Sequence, residues 1–538
     1  MFGHRANSRG GQLRRNLVHD LEARASGSPH RIGLIHEDGR TWTYRQIDQA
    51  ASAVARALVE HGLTPGSRVG LYLANSPELV FGLAGCWKAG LVPVPMSGLY
   101  NFDEVRSCVA KTGPDMVVAD PAKLPEDGVG VPLLPLDVVR AAGETARGSA
   151  GSDSPPVRAP EPAEEDEGLL LFTGGSTGMP KAVAVTHSGT HASMSTLARA
   201  QKGGRQPEEG LYALVDESVP PNLVLLPLFH GGGIQSLLFS WHVGRTVLLV
   251  ERFSVDRIAR LVPRYRVDNL FLLPTMVYDL THTTERPDLS SVRKVLVAGQ
   301  RLDPELKTLF EQRFGVIVMS NYGSAELGHV AGWNARDVRE GRWKPGSVGR
   351  IYDGVELEIR DEDGASQQTG RQGEIWVKST RTKGYVDTGG DGASLVENGW
   401  VRSGDIGYVD ADRVLYLVGR SREVIKTGGF QVWPGELEGV LRRHPAVADI
   451  AVVGVADDRL GEVPKAFVVP TAGTAAGTAL ADELVAWCRE RLAHFKSVRQ
   501  VAFVDALPRS EAGKVQRAAL VASDASRSSG ANDSKESA

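Results

Sequence analysis

Residues 168 to 187 read Gly-Leu-Leu-Leu-Phe-Thr-Gly-Gly-Ser-Thr-Gly-Met-Pro-Lys-Ala-Val-Ala-Val-Thr-His, and this stretch decides how the rest of the chain is understood. The apolar run Leu169 to Phe172 predicts a buried strand, and the small and β-branched residues Ala182 to Val185 predict a second one. Between them lies a loop holding Thr173, Gly174, Gly175, Ser176, Thr177 and Gly178, followed by Met179, Pro180 and Lys181. Glycines let backbone N–H groups approach oxyanions, hydroxyls donate further hydrogen bonds, and lysine supplies a point charge. The loop therefore has the inventory that surrounds a polyphosphate. In a Walker loop the lysine directly follows the last glycine, a Ser or Thr follows the lysine, and a helix begins there. Here Met179 and Pro180 intervene, Ala182 stands where the magnesium-binding hydroxyl would be, and a strand is expected next. A Walker-type NTPase or kinase is disfavoured.

Working outward, a length of 538 residues exceeds one ordinary core and predicts roughly three or four compact units. Acidic and basic residues nearly cancel, 65 against 61 for a net charge of −4, which points away from nucleic acid and from a polybasic membrane anchor. A small-molecule partner is expected. Cys86, Cys108 and Cys488 are isolated and odd in number, which argues against a disulfide framework or a cysteine zinc site and fits a reducing cytoplasm. The basic segment Met1 to Asn16 has no apolar run behind it and does not read as a secretory signal. Leu223 to Val250 is apolar but broken by Pro227, His230, several glycines and Arg245, so no integral membrane association is expected. A monomer or homodimer is expected.

Along the chain, short strands in His30 to Arg45 lead through Thr43-Tyr44 into a helix whose stripe is Ile47, Ala51, Val54, Ala55 and Leu58. A strand at Val69 to Leu73, a helix at Ser76 to Ala89 and a strand at Val92 to Val94 imply βαβ units and a parallel sheet. Gly143 to Gly168 is rich in Gly, Ser, Pro and Glu and predicts a surface loop or linker. Strands near Asn222 to Leu226, Thr246 to Val250, Asn269 to Leu272 and Val295 to Val297 build a second layered half. The β-rich segments Val355 to Ile359, Gly373 to Val377 and Arg413 to Leu417 predict a β-barrel-like subdomain. After it, a helix from Glu436, strands at Ala448 to Val455 and Ala466 to Val469, and a helix from Asp482 predict a compact α+β unit. The expected fold class is α/β, with a large N-terminal domain of two layered α/β halves plus the β-barrel-like subdomain, and a small mobile α+β C-terminal domain. Its expected bounds are a mobile start at 1–15, the large domain at 16–420, the mobile domain at 421–522 and a disordered tail at 523–538.

The loop at 173–181 resembles the phosphate-binding signature of the adenylate-forming superfamily, which comprises acyl- and aryl-CoA ligases, luciferases and the adenylation domains of peptide synthetases. Four further segments carry the same resemblance. Asn321-Tyr322-Gly323-Ser324-Ala325-Glu326 is similar to the family's Tyr-Gly-x-Thr-Glu motif, which implies that Glu326 holds Mg2+ on the nucleotide phosphates while Asn321 and Tyr322 flank the adenine. Gly299, Gln300 and Arg301, after Ala298, resemble the segment along the adenine's other side. Trp400 to Gly407 resembles the motif whose aspartate, here Asp405, accepts both ribose hydroxyls, a task that suits an acceptor-only group. Gly419 to Gln431 resembles the most distinctive family segment, implying a ribose contact for Arg420, a hinge at Arg422, and coenzyme A contacts for Lys426, Gly428, Gly429 and Gln431.

The resemblance also implies an acid pocket lined by His230, Gly231, Ala298, Gly323 and Ser324, and a catalytic lysine at Lys514 in Leu507 to Val515. Peptide-synthetase domains carry an aspartate near that histidine for an α-amino group; none stands here, so an α-amino acid is disfavoured. Ala325 departs from the family's threonine, whose hydroxyl touches the α-phosphate. Together these imply an AMP-forming carboxylate–CoA ligase that uses ATP, Mg2+ and coenzyme A, with Lys514, Glu326 and Lys181 as catalytic residues. A carrier-protein thiol, an amine or another small nucleophile stays open as the acceptor, as does a catalytically silent nucleotide-binding protein.

Overall fold

The structure, a computed structural model, describes residues 15–125, 128–148, 155–173, 181–201, 218–386, 395–427, 430–457, 459–492, 496–510 and 513–524. The expected mobile start and disordered tail lie almost wholly outside this set.

The helix Tyr44–Glu60 begins at a capping box: the Thr43 side chain accepts from the Gln46 N–H, and the Gln46 side chain accepts from the Thr43 N–H. All five residues of its expected stripe are buried. They pack on Pro77–Lys88, a helix buried along its whole length, where a Cβ at Gly85 would stand only 2.6 Å from Val54 Cγ1. Beneath lies a wholly parallel sheet in the order Val92–Ser97, Arg68–Leu73, Met116–Ala119, Leu133–Pro135. The expected linker at 143–168 needs correction at its start, because the helix Leu136–Gly148 runs into it. Gly143 is a packing residue rather than a breaker: a Cβ there would lie 2.4 Å from Phe81 Cε2, and its carbonyl accepts the Trp42 indole N–H at 3.0 Å.

The two α/β halves are interleaved. Ile32–His36 pairs with Thr41–Thr43 on one side and, in parallel, with Val247–Leu249 on the other. Asn269–Leu272, Lys294–Val297 and Ile317–Ser324 form the parallel end of a ten-stranded sheet. The β-rich stretch expected to be barrel-like continues that sheet as an antiparallel arm ending at Leu357–Arg360, and among the described residues the pairing path stays open. Past Arg420, five strands and the helices Pro434–Leu441 and Thr478–Arg491 enclose a separate core of Ile425, Leu437, Leu441, Ile450, Leu484 and Cys488. No described helix is long and apolar enough to cross a membrane.

One ion cluster is fully enclosed in the first half. Lys88 Nζ lies 2.8 Å from Glu22 and 2.8 Å from Asp48, and it donates to the Val157 carbonyl at 2.6 Å. Burial pushes the Asp48 carboxyl up, and Lys88 opposes that shift. Lys88→Met would strand two carboxylates away from water, so it is expected to cost about 3–5 kcal/mol, read by urea denaturation.

Candidate active site

The strand Glu167–Thr173 runs antiparallel to Lys181–Thr186, with Thr173 opposite Lys181, so a strand rather than a helix follows the phosphate loop. Gly174, Gly175, Ser176, Thr177 and Gly178 lie outside the described residues. Lys181 Nζ stands 5.1 Å from the ring centroid of Tyr385, on the neighbouring strand Thr382–Tyr385.

Facing this pair is the hairpin Ile317–Ser324 and Gly328–Gly332, whose turn carries Ala325 and Glu326. Gly323 is required by the pairing itself, since a Cβ would come within 2.0 Å of the Gly328 carbonyl oxygen. Ser324 Oγ accepts from the Leu327 N–H at 3.2 Å, which ties its side chain back into the turn. The Ala325 Cβ points toward Gly231, 3.7 Å from where a Cβ on that glycine would stand. Ala325→Thr should therefore find room and raise the rate of acid-dependent pyrophosphate release by up to about tenfold, the worth of one hydrogen bond to a charged group. A slower variant would show that the methyl group is there to make space for the acid.

His230 caps the helix Gly231–Val243, its Nδ1 accepting from the Gly232 N–H at 3.3 Å. The proton then resides on Nε2. Burial, aided by the charge of Lys514, pulls the imidazole down to about 4, so His230 is a neutral donor at physiological pH. Gly233 must be a glycine, because a Cβ would lie 2.1 Å from the Pro227 carbonyl oxygen. Ala298 is buried at the end of Lys294–Val297, and Gly299 follows with φ +87°. Gln300 Nε2 is buried and has no partner among the described residues, an unspent donor in the segment assigned to the adenine. Arg301 is exposed and lines a cleft of about 400 Å³ between the two domains, with Trp433 and Arg443 across from it.

The side assigned to the nucleoside centres on Asp405. Its Oδ2 accepts from the Tyr322 hydroxyl at 2.8 Å, and its Oδ1 pairs with Arg420 Nε at 3.0 Å. Each oxygen keeps a lone pair, which suits a carboxylate meant for two ribose hydroxyls. Asn321 has partners inside the protein: its Oδ1 accepts from Tyr352 Oη at 2.9 Å and its Nδ2 donates to His329 Nδ1 at 3.0 Å. Neither His329 nor Arg381, both buried beside the hairpin, was visible as a site residue in the sequence. A single arginine after Ser-Thr carries no pattern.

Lys514 comes from the C-terminal unit. Its loop is closed by Gly513 N–H to Ser510 O at 2.8 Å and Ser510 N–H to Lys514 O at 2.8 Å. Gly513 has φ +69° and lies so close to Thr275 that a Cβ would meet its Oγ1 at 2.6 Å. Burial lowers the Lys514 ammonium and Arg420 lowers it further, while Glu326, Asp405 and Glu423 act to raise it. Lys514 thus shares one electrostatic neighbourhood with Glu326, Asp405, Arg420 and His230. Lys426 is exposed on the hairpin Ile425–Thr427 and Phe430–Val432, opposite Gln431, and Gly428 and Gly429 lie outside the described residues. Arg422 is exposed in the single turn Ser421–Glu423 that joins the two domains. Among the described residues no group of three or more His, Cys, Asp or Glu side chains could hold a metal ion. Magnesium fits in the other way it is commonly bound, by one carboxylate, Glu326, with phosphate oxygens and water.

The strands Glu167–Thr173 and Lys181–Thr186, the Glu326 turn, Asp405 held by Tyr322 and Arg420, and Lys514 on the C-terminal unit stand where an adenylate-forming enzyme would place its nucleotide machinery. The chain belongs to the AMP-binding enzyme family: the family description matches residues 21–386, and that of the AMP-binding enzyme C-terminal domain matches residues 436–514. Within that family it is placed among the AMP-forming acid–CoA ligases. It is 31% identical to 4-coumarate–CoA ligase 5 of Oryza sativa subsp. japonica over 491 residues, 89% of each chain. It is 31% identical to 4-coumarate–CoA ligase 3 of Arabidopsis thaliana over 503 residues, 91% of this chain and 88% of the other. Among solved structures, o-succinylbenzoate coenzyme A synthetase from Bacillus subtilis with ATP and magnesium superposes at a TM-score of 0.77, with 28% identity over 93% of this chain and 98% of that one. The amide bond synthetase McbA from Marinactinospora thermotolerans gives 0.79, with 27% identity over 94% and 99%.

Proposed function

We propose that this enzyme uses Mg-ATP to convert a carboxylic acid with an uncharged, flat body, an aryl or arylacrylic acid, into its acyl-AMP, and then passes the acyl group to coenzyme A. The observation that carries this reading is the convergence of Lys514 on Glu326, Asp405 and His230. A carboxylate attacking a polyanion is opposed by charge, so catalysis here is electrostatic and positional. Lys514 would bridge the substrate carboxylate and the α-phosphate. Lys181 and the loop amides would take the charge of the departing pyrophosphate. Asp405, braced by Tyr322 and Arg420, would hold the ribose, and the Gln300 amide would donate toward the adenine. Magnesium on Glu326 would neutralise part of the phosphate charge. No side chain needs to become covalent.

The nature of the acid is supported from two sides. His230, kept neutral by burial, offers no charge for a second carboxylate. Two of the relatives named above are 4-coumarate–CoA ligases. The three cysteines are buried free thiols, which supports a reducing, cytoplasmic setting. A swing of residues 421–522 about Arg422, which would carry Gly428 and Gly429 to the acyl-AMP, is part of the same proposal. A second acceptor class, an amine, is favoured by the likeness to an amide bond synthetase. The test is a pyrophosphate-release screen over aryl, short, medium and long-chain acids, with coenzyme A or simple amines added in parallel. Aryl acids with coenzyme A-dependent AMP formation are expected; release of ADP, or no turnover with any acid, would overturn the reading.

A further inference from the structure

Among the described residues of the large domain two cations, Lys88 and Arg381, are at most 2% exposed, and they are treated differently. Lys88 meets two carboxylates. Arg381 is 2% exposed, yet its Nη1 has no hydrogen-bond partner among the described residues, and its Nε donates to a single carbonyl, that of Ala325, at 2.7 Å. Ala325 immediately precedes Glu326. The main chain of Arg381 is fixed to a different part of the molecule. Its carbonyl accepts from the Thr186 N–H at 2.8 Å, at the end of the strand that leaves the phosphate loop. A Cβ on Gly189, in the following helix, would lie 2.2 Å from the Arg381 Cα. Ser193 of that helix accepts from the His329 N–H at 3.0 Å, and a Cβ at Gly328 would run into Ser193 Oγ at 2.5 Å and Arg381 Cδ at 3.1 Å.

We propose that Arg381 is a positioning residue for the nucleotide phosphates: it clamps the Glu326 turn to the strand and helix that follow the phosphate loop and places an unspent positive charge beside that turn. The inference rests on the function proposed above through the role given to Glu326. Burying a guanidinium to satisfy one carbonyl is a poor exchange, because a neutral donor would serve at far lower desolvation cost. The charge gains its return only when a polyanion arrives next to it. Burial draws the guanidinium down to about 10 against the field of Glu326, which leaves it charged at neutral pH.

Stability and binding are therefore expected to move in opposite directions. Arg381→Met should leave the ligand-free protein as stable as the wild type or more so, since well-packed apolar replacements of buried ions often do this. The same variant should bind Mg-ATP about tenfold more weakly by calorimetry, the size of one charge-assisted hydrogen bond. Transfer from supplied 4-coumaroyl-AMP to coenzyme A, which needs no pyrophosphate end, should stay within about twofold. Arg381→Lys, which keeps the charge, should recover part of the Mg-ATP affinity. Loss of stability and of both half-reactions together, or failure of Arg381→Met to fold, would reduce Arg381 to a structural residue and overturn the proposal. Unchanged Mg-ATP affinity in a folded variant would overturn it too. A wild type that binds no Mg-ATP would instead sink the proposed function.

Discussion

Lys514→Ala is expected to lower acid-dependent pyrophosphate release by at least about a thousandfold while leaving thioester formation from supplied acyl-AMP largely intact. Burial and the charge of Arg420 pull the Lys514 ammonium below its usual range while Glu326 and Asp405 oppose that shift, so an anion placed against it would favour its charged form. A substrate carboxylate and the α-phosphate would supply that anion together. Alanine removes the cation proposed to lie between them, and with it the charge that offsets their repulsion. The second half-reaction begins after the anhydride exists and needs the lysine loop elsewhere. Rapid mixing of the variant with acyl-AMP and coenzyme A measures it alone. Equal loss in both half-reactions would show that Lys514 serves the fold or both poses, and the division of labour would fall.

The hinge gives the second large effect. Ser421 is tied back to the large domain by its hydroxyl to the Gly404 carbonyl at 3.1 Å, and Glu423 is tied forward to Arg517 of the small domain at 3.1 Å. Arg422 lies between these anchors with its side chain in solvent. Proline there would fix φ near about −65°, a value the present turn accepts and a swing cannot change. Arg422→Pro should therefore form acyl-AMP within about threefold of the wild-type rate, while its transfer to coenzyme A drops by about a hundredfold or more. Single-turnover mixing of preformed acyl-AMP with coenzyme A decides the matter. Transfer at the wild-type rate would mean that no rotation at this residue is required, and the roles given to Gly428 and Gly429 would be withdrawn.

Local chemistry was legible in the sequence wherever it is written in neighbouring residues. The helix start after Thr43, the strand on each side of the phosphate loop and the histidine before three glycines all needed only a few positions of context. What needed distant partners was hidden. Periodicity marks Ile32–His36 as a strand but says nothing of Val247–Leu249, its neighbour. Gly143 looked like punctuation because Phe81, the ring it makes room for, lies far along the chain. Asn321 matches a motif expected to border the nucleotide, but its partners Tyr352 and His329 could not be read from that motif. Arg381 was silent for the same reason: a buried cation is recognised by what encloses it, and its enclosure comes from three separate segments.

The parallel pairing of Ile32–His36 with Val247–Leu249 also governs how the chain can be made. A ribosome delivers the earlier strand with one edge covered by Thr41–Thr43 and the other bare until residue 249 emerges. At roughly 5–20 residues per second, the 213 residues between 36 and 249 hold that edge open for on the order of 10–40 s. Through that interval the nascent chain displays Leu34 and Ile35 on an unpaired ladder, the kind of edge that recruits other strands. The Ile32–His36 edge is therefore closed only after residue 249 has been made, long after the sheet of Arg68–Leu73 and its neighbours has all its strands.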